Sequence, residues 1–402
     1  MMLHRGRVAL VSITILSGAI VPARAQRVNL TVPMTELIAR AARDSNDAVA
    51  QYEVALGYLL AKRFAEADHS LRLAIELDPG NAAAYLALAY VPFAKNPRLW
   101  DIEEVTSKTP PETVKALDDF LRNRRRAFML DPLVDLRVLS AIVPPQGKVG
   151  GGGGDLWNIL ILGFENFWIG NFQESLRLMT SILNSMPESK RRERMPSFVY
   201  WYHGLAAAHV QDYPTAITDF QLLLDRALER EQAELERYYV QDPFRTSNDY
   251  RYFLAAIKQR AGAGDQAIQL LQECLEKDLS LYPAHSQLAA IYESRRAWPE
   301  AVRERQRALE TNPEDPGLLF DLGSTLTRSG DPVLAVDALT RAMETNPRNA
   351  RIPYLLGQTA MRVGKPDLAR SAYERFLALA PSRFGPQIAQ IRARLDSLPA
   401  SH

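Results

Sequence analysis

Ala267, Ala301, Ala335 and Ala369 stand 34 residues apart, and Pro313, Pro347 and Pro381 keep the same step. The small residues Ala289, Gly323 and Gly357 follow it as well. Three series in one register mean that a fixed structural unit recurs, and a unit this short cannot enclose a core of its own. It has to bury its apolar face against the next copy, so the chain grows by stacking. Its 402 residues therefore do not translate into a number of conventional domains.

Each recurrent position has a packing reason. A small residue in the middle of a first helix, and alanine early in a second, clear space where two helices approach most closely. Leu288, Leu322 and Leu356 precede the small residue and fill the space between the helices. Gly330-Asp331 and Gly364-Lys365 fall where the chain turns, and glycine tolerates the backbone that a helix C-cap needs. Asn312-Pro313, Asn346-Pro347 and Ala380-Pro381 end the second helix, because a residue before proline avoids the helical region. In these residues the chain resembles the tetratricopeptide repeat, a helix-turn-helix unit. The resemblance implies an all-α fold, an α-solenoid or superhelix of about seven to eight such repeats.

The same register continues backwards with looser spacing. Ala55, Phe64, Ala67, Leu71, Ala74 and Pro79 mark a copy over 48–81, and Gly163, Gly170, Ser175, Met179, Ile182 and Pro187 mark one over 156–189. Gly204, Asp212, Ala216 and Phe220 mark 197–238. Gly262, Ala267 and Leu271 mark 248–283, whose second helix is expected to overrun toward Pro283. Cys274 takes a small-residue position there and is expected to be buried. A degenerate copy over 82–134 carries an insertion with Pro92, Pro97, Pro110 and Pro111, and Gly150 to Gly154 read as a flexible linker. Phe384 to Leu398 has Ile388, Ile391 and Leu395 at helical spacing, as a terminal capping helix would. The expected organisation is 1–25 signal peptide, 26–47 lead-in, 48–145 N-terminal repeats with the insertion, 146–155 linker, 156–383 repeat array and 384–402 cap and tail.

The first residues are set apart by composition. His4, Arg5 and Arg7 precede an apolar run from Val8 to Val21, and Ala23-Arg24-Ala25 offers small residues where a signal peptidase reads. Cleavage is expected after Ala25, giving a bacterial exported chain in the periplasm or outside the cell. The run is shorter than the roughly 20 residues that span a bilayer, so no membrane span is expected in the mature chain; the alternative is an uncleaved inner-membrane anchor. With 48 Lys plus Arg against 47 Asp plus Glu, total charge supplies no pull toward nucleic acid.

Chemical motifs are absent. The glycine run lacks the Gly-Lys-Ser/Thr ending of a phosphate loop, the six histidines show no metal-ligand spacing, and no Gly-x-Ser-x-Gly elbow occurs. Neither a catalytic residue, a metal nor a cofactor is expected. The single cysteine excludes an internal disulfide. Two basic clusters, Arg122, Arg124, Arg125 and Arg126, then Lys190, Arg191, Arg192 and Arg194, read as solvated faces or as contacts for an acidic partner.

The family resemblance implies that first helices line a concave groove for protein or peptide partners. Phe164 and Trp168 each lie within about 20° of Trp157 on a helix, so the three form one stripe. Phe198, Trp201 and Leu205 occupy the matching positions of the next repeat, so an aromatic band is expected, open to a partner or covered by the insertion. Further along, Arg260, Arg328 and Arg362 stand at equivalent positions and suit an acidic or carboxylate segment. The expected role is a non-enzymatic interaction scaffold or adaptor in the cell envelope, the alternative a periplasmic peptide or glycan carrier. Partner identity and oligomeric state stay open.

Overall fold

The computed structural model describes residues 32–101, 108–134, 155–233, 244 and 246–397. The expected signal peptide, with its expected cleavage after Ala25, and the glycine run lie outside them. The described residues form α-helices: α1 (Met34–Arg43), α2 (Ala48–Leu60), α3 (Phe64–Leu77), α4 (Ala82–Lys95), α5 (Pro111–Leu130), α6 (Asp155–Trp168), α7 (Phe172–Asn184), α8 (Glu188–Arg194), α9 (Ser197–His209), α10 (Tyr213–Gln232), α11 (Ser247–Arg260), α12 (Gly264–Lys277), α13 (Tyr282–Ser294), α14 (Trp298–Thr311), α15 (Pro316–Ser329), α16 (Pro332–Thr345), α17 (Arg351–Arg362), α18 (Pro366–Leu379) and α19 (Gly385–Ser397). There is no strand among them, and the consecutive packed pairs make the fold the expected all-α helix-pair solenoid.

The chain falls into two compact units. The first holds the described residues of 89–125 and 135–247, the second those of 30–88, 126–134 and 248–402. Residues 48–88 thus group with the C-terminal array and not with 89–125, a division that follows contact instead of chain order.

Within the second unit the repeat is written into the backbone. Gly262, Arg296, Gly330 and Gly364 have positive φ of 82°, 57°, 94° and 69°, each at the turn between the helices of a pair and each 34 residues from the next. The turn geometry is fixed even where the residue is arginine. Pro283 does not end α12: that helix stops at Lys277, and Pro283 sits in the first turn of α13, where its missing N–H costs no bond. Asp315 caps α15 by accepting from the amides of Gly317 and Leu318 at 2.8 and 3.0 Å.

Ala267, Ala301, Ala335 and Ala369 are wholly buried. A Cβ on Gly323 would come within 2.6 Å of Leu339, and one on Gly357 within 2.4 Å of the Tyr373 ring, so the helix pairs have closed to the distance that only glycine allows there. Cys274 is buried as expected, and desolvation pushes its thiol up to about 12. The capping helix seats Ile391 against Tyr373 and Phe376.

Long-range polar contacts draw this unit's first elements onto its last. Asp44 accepts from the Ser382 amide and hydroxyl at 3.0 and 2.8 Å, Asp47 accepts from Arg383 at 2.9 Å, and Asn346 donates to the Glu76 carbonyl at 3.0 Å. Residues 126–134 join them, with the Tyr252 hydroxyl donating to the Met129 carbonyl at 2.6 Å.

Candidate functional site

In the first unit, α6 and α9 place Phe164, Trp168, Phe198 and Tyr202 side by side. Phe164 stacks on Trp168 with ring centroids 5.8 Å apart and meets the Tyr202 ring edge-on at 4.7 Å and Phe198 at 6.0 Å. All four are half-buried. Burial holds the Tyr202 hydroxyl far above its usual pKa, followed in size by the influences of Tyr90, Trp168 and Arg124. Trp157 lies on α6, but its side chain falls outside what the structure describes. Trp201 and Leu205 are only 4% and 1% exposed. Trp201 packs edge-on against Phe220 and Phe244, so these two residues belong to the core and the aromatic surface does not extend to them. The α9 rings that meet α6 are Phe198 and Tyr202, while the helical wheel took no account of Phe244, a neighbour of Trp201 from beyond the repeat.

The three predicted groove arginines are in the second unit and are engaged internally. Arg260 bridges Asp131 at 2.6 Å, Arg328 bonds Glu293 and lies over Trp298, and Arg362 donates to the Thr327 carbonyl at 2.8 Å. Glu293 is the centre of a buried network: Arg305 donates to it at 3.1 Å and to Asp321 at 2.9 Å, and Thr325 donates at 2.6 Å. Burial alone would raise the Glu293 pKa, but the Thr325, Arg305 and Arg328 contacts outweigh it and hold the carboxyl below its usual range. Asp321 is pushed the other way by burial, against the pull of Arg305.

The basic clusters make local contacts, several of them at the exposed surface. Arg122 pairs with Asp119, and Arg124, 7% exposed, lies over Phe120. In the first unit's α8, Arg191 donates to the Met186 carbonyl at 2.8 Å and Arg192 pairs with Glu229. Arg126, in the second unit, bonds the Tyr282 hydroxyl.

Two buried histidine–carboxylate pairs escaped the search for ligand spacing, because each spans two helices. His203 Nδ1 lies 2.5 Å from Asp219, and His285 Nδ1 lies 2.6 Å from Glu304. Thr180 Oγ1 is 3.0 Å from His203 Nε2, giving a row of hydroxyl, imidazole and carboxylate. The Thr180 hydroxyl donates to the Leu176 carbonyl at 2.7 Å, so it lacks the free proton transfer of an activated nucleophile and the row serves as a bridge between helices. Among the described residues no group of three or more His, Cys, Asp or Glu side chains is placed to hold a metal ion. No described helix is long and apolar enough to cross a membrane.

The second unit also encloses a cavity of about 340 Å³. Tyr252, Tyr282, Ser286, Gln287, Phe320 and Arg351 come from the repeat helices, while Asp78 to Gly80 and Arg126 to Leu130 close it from outside the regular array. No sequence motif marked this place, since its walls come from segments up to 273 residues apart.

Two family models described as tetratricopeptide repeat match residues 284–317 and 326–395. Among solved structures, the chain is similar to the C-terminal part of a TPR repeat-containing protein from Cytophaga hutchinsonii, at 14% identity over 60% of this chain and 88% of that one, with a TM-score of 0.45. It is also similar to MamA, at 18% identity over 45% of this chain and 96% of that one, with a TM-score of 0.37. No curated protein matches it. Both family models fall on helix pairs whose turns recur every 34 residues, so residues 284–317 and 326–395 are tetratricopeptide repeats.

Proposed function

We propose that this chain is a non-enzymatic scaffold or adaptor of the bacterial cell envelope that holds protein partners on its first unit. Tetratricopeptide-repeat proteins bind protein partners, and scaffolding is the role that the repeat supports. The half-buried cluster of Phe164, Trp168, Phe198 and Tyr202 supports the location, because rings that are neither sealed in a core nor single on a surface offer a partner large apolar area at low entropic cost. The internal pairing of Arg260, Arg328 and Arg362 moves the reading away from an arginine-lined groove.

Envelope placement rests on the basic start, apolar run and Ala23-Arg24-Ala25 of the sequence. Cell fractionation followed by N-terminal sequencing is expected to find the mature chain outside the cytoplasm and beginning at Gln26. Proximity labelling in cells then supplies partners to be purified and titrated against the full chain. Replacing Phe164 and Trp168 together by alanine is expected to weaken a direct partner at least tenfold while helix content is retained. A partner that binds this variant undiminished removes the aromatic cluster from the interface.

A further inference from the structure

The cavity of the second unit has an unbalanced set of free groups. Its carboxylates are committed: Asp315 caps α15, Asp321 is bridged to Arg305, and Asp78 accepts from the Gly80 amide at 3.2 Å. Two of its three arginines are not. Among the described residues neither Arg126 nor Arg351 is bridged to a carboxylate; Asp321 feels the charge of Arg351 without a bond to it.

Both guanidiniums lie against aromatic rings. Arg351 lies 5.0 Å over the Phe320 ring, and Arg126 lies 5.2 Å from the Tyr282 ring and 5.8 Å from Tyr85. A ring is no strong acceptor, and among the described residues these guanidiniums make one hydrogen bond, from Arg126 to the Tyr282 hydroxyl, which leaves their other N–H groups for further acceptors. Beside them Ser286 Oγ and Gln287 Oε1 are buried atoms with no hydrogen-bond partner. Such atoms carry an uncompensated desolvation cost unless something satisfies them. A volume of about 340 Å³ is at the small end of ligand pockets and excludes a partner helix.

We propose that this cavity is a binding site for a small organic oxyanion, a carboxylate or phosphate ester with an apolar body and a hydrogen-bond donor. The oxyanion meets the in-plane N–H groups of Arg351 and Arg126, the body rests among Phe320, Tyr282 and Tyr252, and the donor satisfies Gln287 Oε1. Because Asp78 to Gly80 and Arg126 to Leu130 form part of its wall, the ligand also ties these segments to the repeat helices.

Three probes test this on the full chain by calorimetry: 4-hydroxybenzoate, phenyl phosphate and the uncharged 4-hydroxybenzamide. At least one anion is expected to bind ten times more tightly than the amide, and to raise the melting temperature as a native-state ligand must. Whether benzoate or phosphate leads distinguishes the two oxyanion sources. Arg351 is exposed and opens α17, so Arg351→Gln is expected to keep the wild-type fold and unfolding midpoint while losing at least tenfold in affinity for the anion alone. Equal binding of anions and amide, binding by none of the three, or anion affinity unchanged in Arg351→Gln overturns the proposal.

Discussion

The two units solve the same packing problem with different means. In the first, helix pairs are joined through rings, Phe164 on Trp168, Tyr202 on Phe167 and Trp201 on Phe220, with one buried His203–Asp219 link between helices. In the second, Gly323 and Gly357 close on Leu339 and Tyr373 as Gly163 closes on Met179 in the first, but the interior also holds ionic groups centred on Glu293 and Arg305. Rings tolerate irregular spacing, since an offset or edge-on contact forms over a range of separations. A buried ion network does not, because each charge needs its partner in place. Regular repeats therefore support a polar interior, and irregular repeats fall back on apolar area.

The largest expected effect separates the two modes directly. Arg305→Ala leaves Glu293 and Asp321 without their shared cation, and equilibrium denaturation is expected to show a loss of about 4 kcal/mol, against under about 1 for the half-exposed Arg328→Ala. An equal loss from both would mean that the network acts as surface charge. Next comes the buried histidine–carboxylate link of the first unit: His203→Ala strands Asp219, 5% exposed, at a cost of about 3 kcal/mol.

Acid titration sharpens the contrast through its sign. Glu293 has a lowered pKa, so its contribution is present above about 4.5 and is lost as pH falls through the lower folded value; Glu293→Gln is expected to remove that acid loss. Asp219 is raised, by burial first and against its His203 bond, so its folded form favours the proton and its stability contribution declines as pH rises above the unfolded value near 3.8. The His203→Ala deficit is therefore expected to deepen between pH 4 and 7. A deficit that shrinks over this range contradicts the assignment.

Two smaller effects probe the regular repeat itself. Gly357→Ala drives a methyl into the sealed Tyr373 ring and is expected to destabilise by about 2 kcal/mol in denaturant. Arg296→Gly relieves the one turn of the 34-residue series that holds a side chain at positive φ, and is expected to stabilise by about 0.5–1 kcal/mol, visible as a higher unfolding midpoint. Failure of this gain would show that the Arg296 side chain compensates its own backbone strain.

Much of the second unit could be read before any coordinates. Ala301, Gly323 and Pro347 announce their packing through spacing alone, because a stacked repeat gives each equivalent residue the same neighbours. The capping helix was legible for the same reason, from Ile388, Ile391 and Leu395. The candidate sites were less so. Phe164 and Trp168 were found by helical periodicity, while Trp201 looked identical on the wheel yet is covered by Phe244, a residue outside its repeat. Arg260, Arg328 and Arg362 share a register, but what each meets is set by a different helix.

The amino-acid sequence by itself determined the helix pairs, their turns and their period, because these follow from contacts within a repeat or between adjacent ones. Only the tertiary structure decided which charges are spent, which rings are enclosed, and that Asp44 and Asp47 meet Ser382 and Arg383. Those last contacts join residues more than 330 positions apart. No periodicity encodes such pairs, since they depend on the accumulated geometry of every intervening helix, and the cavity with Arg126 and Arg351 exists only because that geometry brings distant segments together.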